Sequence, residues 1–178
     1  GNVQFNRGRT GNDNCRQSAN TAHGEDVMQR KNLDENASLL NHIYKTTQLR
    51  LDAAQMILPQ VWNEPPLRRQ VERQKSDYLT LAEKTKQMLR ENGRMPDSEK
   101  FLKKAVLRSS IRMNTLANKK PTHMAKVMIS STAAGISEMT KSLNRLDGAE
   151  ISTKKLAEDY ILNEQKNIDA LKKPTWYA

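Results

Sequence analysis

The chain is predicted to be all-α: a four-helix bundle with an extra helix in one long crossover connection. Three observations carry that prediction. Leu33, Ala37, Leu40, Tyr44, Thr47, Leu51, Ala54, Leu58 and Val61 follow one another at 4-3 spacing, the stripe that an α-helix buries against neighbouring helices. Aromatics make up only 4% of the 178 residues while Met occurs eight times, a composition suited to helix packing. Finally, the connectors between periodic segments are two short ones and one long one, which selects a topology.

Residues 1–32 are rich in Asn, Gly, Arg and Ser and show no sustained period. They read as a flexible polar tail, leaving 33–178 as a single helical-bundle domain. Cys15 and His23 lie in that tail, where a metal site would lack a scaffold. The first helix is predicted from Asp34, as N-cap, to about Val61, with Pro59 bending or ending its last turn. Trp62-Asn63-Glu64-Pro65-Pro66 is a tight connector, and a Pro is suited to open the next helix. The second helix, 66–92, carries Leu67, Val71, Gln74, Tyr78, Leu81, Thr85 and Met88, and Gly93 caps it.

After Met95-Pro96 a third, shorter helix is expected, with Leu102, Val106, Met113 and Leu116 as its apolar set. It ends at Asn118-Lys119-Lys120-Pro121. The fourth helix starts near Thr122 and presents Ala125, Met128, Thr132, Ile136, Met139, Leu143 and Leu146. Its middle, Ser130 to Gly135, is slim enough to admit a close neighbour, at the propensity cost of a mid-helix Gly. Asp147-Gly148 is a turn, the fifth helix covers about 150–172, and Pro174 stops it, with Trp176 and Tyr177 expected to pack back on the bundle end.

The first two helices form one hairpin and the last two another, and about 93–121 is long enough to travel the length of the bundle. That layout belongs to ferritin-like folds. Ile111-Arg112-Met113-Asn114-Thr115-Leu116, Thr122-His123-Met124-Ala125-Lys126-Val127-Met128-Ile129 and Glu164 to Lys172 resemble a family of uncharacterised ferritin-like helical proteins of Gram-positive anaerobic bacteria. The resemblance covers roughly 33–173, implies the fold, and implies no activity.

A di-metal centre in such a fold needs a Glu on each of two helices and a Glu-x-x-His pair on each of the other two. Here Glu72 is followed three residues on by Lys75, and Glu164 by Asn167, so Glu164 is the one convincing ligand. His42 is out of phase with the seam and is expected to face solvent; His123 sits at a helix start. No metal or cofactor is therefore expected. The predicted interior is instead a polar layer of Thr47, Gln74, Tyr78, Thr132, Tyr160, Glu164 and Asn167, groups that fix helix register when buried, with the remnant of a degenerate metal site or a small ligand cavity as the sharper alternatives. Lys75 is a candidate partner for the Glu164 charge.

The formal net charge is +10, and from Arg94 to Lys126 nine Lys and Arg face only Asp97 and Glu99. Lys100, Lys103, Lys104, Arg108, Arg112, Lys119 and Lys120 are candidate anion-binding residues, although the interleaved aromatics of a single-strand platform are missing. No apolar run is long enough to span a bilayer, and no secretory leader or internal disulfide framework is evident, giving a cytoplasmic expectation. Phosphate loops, nucleophile elbows and zinc-protease motifs are all missing. The reading is a non-enzymatic ferritin-like structural or interaction module, with self-association expected. The alternatives are a nucleic-acid-associated protein and a metal-binding protein with a non-standard site near Glu164.

Overall fold

A computed structural model describes residues 13–97, 118 and 120–173, with side chains from residue 21 onward. Among the described residues four helices form, α1 (Asp13–Ile57), α2 (Pro65–Glu91), α3 (Pro121–Arg145) and α4 (Ile151–Leu171), and a 3₁₀ turn at Leu58–Val61 follows α1. There is no strand among the described residues. The expected helix between Met95 and Asn118, and the packing of Trp176 and Tyr177, lie outside them.

Punctuation residues set the helix ends. Pro59 has no N–H to continue the α ladder, so the chain tightens into the 3₁₀ turn after Ile57. Two prolines open α2, where missing donors cost nothing. Its other end is a Schellman motif: Gly93 takes φ 64°, its N–H donates to Arg90 O at 2.9 Å, and Arg94 N donates to Leu89 O at 2.9 Å.

The start of α1 corrects the sequence reading. The helix begins at Asp13 rather than at Asp34, so residues 13–32 are helical and not an irregular tail. Residues 21–34 are exposed throughout. Their lack of an apolar period goes with this exposure, not with a lack of helix; nothing in 13–34 is a Pro, and one Gly costs only about 1 kcal/mol. Leu33, placed in the seam by its spacing, is likewise 49% exposed. Burial starts at Asn36 and Ala37.

Both hairpins converge on that point of α1. Arg94, just beyond α2, pairs with Asp34 at 2.8 Å, and Asn36 Nδ2 donates to Asn92 Oδ1 at 3.5 Å. From the α3–α4 turn, Gly148 N donates to Glu35 Oε2 at 2.7 Å and Glu150 N to Asn36 Oδ1 at 3.1 Å. The C-terminal ends of α2 and α3 therefore lie at the same end of the bundle, and these two helices run in the same direction. Only a connection that travels the bundle's length can join them. Buried apolar residues form two clusters. One is built around Leu39, Leu40, Ile43, Leu89, Met139 and Leu156, the other around Ile57, Val61, Leu67, Val71, Met124 and Leu171.

Candidate functional site

Between the two apolar clusters lies a polar layer centred on Glu164. Its carboxylate is fully buried on α4. Tyr78 of α2 donates to Glu164 Oε1 at 2.5 Å, and Asn167, one turn further along α4, donates Nδ2 to the same oxygen at 3.2 Å and to the Tyr78 hydroxyl at 3.3 Å. The other carboxylate oxygen faces Arg50 Nε of α1 at 3.2 Å. Arg50 in turn donates Nη1 to Ser131 Oγ at 3.0 Å and Nη2 to the Ser131 carbonyl of α3. One guanidinium thus ties three helices together, and Tyr78 adds the fourth.

Burial raises the Glu164 pKa, while Arg50, Tyr78 and Asn167 pull it back. Tyr78 is pushed well above the ordinary phenol range by burial and then by the Glu164 charge, and Tyr160 moves the same way for the same reasons. Both phenols are therefore held as hydrogen-bonding groups rather than as titrating ones.

All seven residues expected to face inward are buried, but they do not form one network. Tyr78, Glu164 and Asn167 come together. Thr47 donates back to Ile43 O of its own helix at 2.7 Å, which satisfies it locally. Gln74 Nε2 is buried with no hydrogen-bond partner among the described residues. Of the seven candidate anion-binding residues, Lys120 is described and exposed; the other six lie outside the described residues.

Arg50 was missed because it sits one position off the seam, next to Leu51, where a long cation ordinarily reaches solvent. The cation facing Glu164 is Arg50 rather than Lys75. A signal did exist in the slim middle of α3. A Cβ on Gly135 would stand 2.5 Å from Arg50 Nη2 and 3.2 Å from the Tyr160 hydroxyl, so the missing side chain makes room for the guanidinium. His42 is a second correction. It is half-buried rather than solvent-facing, with Nδ1 3.2 Å from Ser142 Oγ. Burial lowers its pKa, Glu138 opposes that shift, and Arg145 and Lys45 add to it.

Alongside the layer, between α1 and α3, runs a half-open cleft of about 570 Å³. Its walls include Leu49, Ala53, Met56 and Ile57 of α1 and Val127, Met128 and Ala134 of α3, with His42, Lys45 and Glu138 at one end and Arg50 and Gln74 within it. Among the described residues, no three His, Cys, Asp or Glu side chains come together as a ligand set for a metal ion. No helix among the described residues is long and apolar enough to cross a membrane.

Comparison with family models, with curated proteins and with solved structures finds no match.

Proposed function

We propose that this chain is a non-enzymatic, ferritin-like structural or interaction module whose centre is an ion-paired polar layer in place of a metal site. The observation that carries the reading is the Arg50–Glu164 pair. The guanidinium neutralises the one interior carboxylate that spacing had marked as a ligand, and a positive charge at that position opposes a metal ion. The parallel direction of α2 and α3 supports the ferritin-like part, since that fold uses one long crossover. Tyr78 and Asn167 direct their donors into the layer, so neither is turned toward a substrate.

Leu79, Ile151 and Leu162 are exposed apolar residues that support an interaction role, with self-association as its simplest form. Elemental analysis of protein purified without chelators tests the central claim. Iron, manganese and zinc are each expected well below one ion per chain. One equivalent or more that disappears on Glu164→Gln would refute the reading and favour a non-standard metal site. Size-exclusion chromatography with light scattering tests assembly, and a strict monomer at all concentrations removes the oligomer part.

A further inference from the structure

The end of the bundle where both hairpins meet carries the chain's one Asn-Gly pair, Asn92-Gly93. Such a pair has a reaction of its own. The backbone nitrogen of the second residue attacks the Asn side-chain carbonyl carbon, ammonia leaves, and a five-membered succinimide closes. Water then opens the ring at either carbonyl, giving aspartate or isoaspartate. Gly favours closure because it has no Cβ to crowd the attacking nitrogen.

The folded helix end holds the two reacting groups apart. Asn92 has φ −87° and ψ 13°, which nearly eclipses its own backbone nitrogen with that of Gly93. Ring closure needs Gly93 N eclipsed with the Asn92 Cβ instead, so the Cα–C bond must turn through a large angle. The nucleophile is tied down as well, since Gly93 N–H donates to Arg90 O at 2.9 Å. Both ends of the side-chain amide are held: Nδ2 donates to Met88 O at 2.8 Å, and Oδ1 accepts from Asn36 Nδ2 at 3.5 Å. Reaction therefore waits on opening of the last turn of α2. What resists that opening is modest. The Asn36 bond is long, the Arg94–Asp34 pair is exposed and contributes little, and helix ends lie at the low end of local opening free energies.

We propose that Asn92 is a spontaneous deamidation site, gated by opening of the α2 end, whose product keeps that end from closing again. Aspartate at this position has no donor for Met88 O, and it sets a negative charge at the negative end of the helix dipole, next to Glu91. Isoaspartate goes further, because it adds one carbon to the backbone between the Cα of residue 92 and Gly93 N. The bonds from Gly93 N to Arg90 O and from Arg94 N to Leu89 O then lose their register, and Arg94 is drawn off Asp34. The modification thus cuts α2 loose from the part of α1 that also holds the α3–α4 turn. The inference does not rest on the reading of the Glu164 layer and survives if that reading fails.

The test incubates the full chain in mildly alkaline buffer and follows Asn92 by peptide mapping that resolves isoaspartate. The reference is Asn63, which is exposed and followed by Glu64. Asn92 is half-buried, yet it should convert at least tenfold faster than Asn63 in the folded chain, and at least tenfold faster again in guanidinium chloride. Asn36→Ala, which removes one tether, should raise the folded-state rate at least threefold. Conversion of Asn92 no faster than that of Asn63 would overturn the site. Equal rates in folded and denatured chain, or no response to Asn36→Ala, would overturn the gate. Chain converted at Asn92, separated by its added charge, should unfold at lower urea than unconverted chain, and coincident curves would overturn the consequence. If Asn36→Ala does not fold, the comparison of folded with denatured wild type decides the gate.

Discussion

Arg50→Met isolates the interaction on which the polar layer depends. At 3.2 Å from Glu164 and an effective dielectric of about 20, the attraction is about 5 kcal/mol, before the cost of desolvating both ions is set against it. Glu164 is fully buried and the Arg50 side chain is 11% exposed, so the guanidinium keeps a little solvent and the carboxylate keeps none. Removing one partner of a buried pair costs about 3–5 kcal/mol because the other charge is stranded. Tyr78 and Asn167 still donate to Glu164 in the variant, which places the expected loss near the lower limit, about 3 kcal/mol.

The variant also has a pH signature. Burial holds the folded Glu164 pKa above its ordinary 4.5, and Arg50 is the largest influence pulling it down. Without Arg50 it rises further. The folded state then binds the proton more tightly than the unfolded state, so stability falls as pH rises from 4.5 through the raised value. Arg50→Met should therefore be less destabilising at pH 5 than at pH 8. Arg50→Met/Glu164→Gln, which removes both charges, should cost only about 1 kcal/mol. Urea denaturation followed by circular dichroism reads the wild type, Arg50→Met, Glu164→Gln and the double variant at both pH values. A loss below 0.5 kcal/mol for Arg50→Met, on the order of a surface change, or strict additivity in the double variant, would refute the reasoning.

Other perturbations probe the same packing. Gly135→Ala should destabilise by about 1–3 kcal/mol despite a helix-propensity gain of up to about 1 kcal/mol, because its Cβ meets Arg50 and Tyr160. Combined with Arg50→Met it should cost less than alone, and thermal unfolding of the pair checks this. Asn36→Ala removes the side chain that bridges the ends of both hairpins and should cost about 2 kcal/mol by urea unfolding. His42 is held below its ordinary 6.5 by burial among Ser142, Glu138, Arg145 and Lys45. The unfolded chain binds that proton first, so stability should fall as pH drops below 6.5, by up to about 1.4 kcal/mol per unit. His42→Gln should flatten that slope; an unchanged slope refutes the assignment.

How far the sequence carried the reading differs from element to element. Helix-breaking and helix-opening chemistry is local, so Pro59, the Pro65-Pro66 pair and Gly93 marked their boundaries within a residue or two. The inward face of α2 was readable at Leu67, Val71, Gln74, Tyr78 and Thr85, because spacing of 3 and 4 maps directly onto one side of a helix, but Ala82 and Leu89, not Leu81 and Met88, are the fully buried residues of its second half. The start of α1 was not readable. Periodicity reports burial, and a helical stretch whose residues 21–34 are all exposed has none to report.

For the site, spacing brought out Glu164, Tyr78 and Asn167 as inward groups but supplied the wrong cation. Lys75 and Arg50 are both off-seam, and choosing between them needs the distance between helices and the length of each side chain. The cleft was equally invisible, since it is a property of the gap between α1 and α3 and of no single segment. Periodic burial and backbone-breaking residues act within a few residues of chain and so leave their mark on the sequence. Charge pairing across helices depends on separations that exist only once those helices have packed.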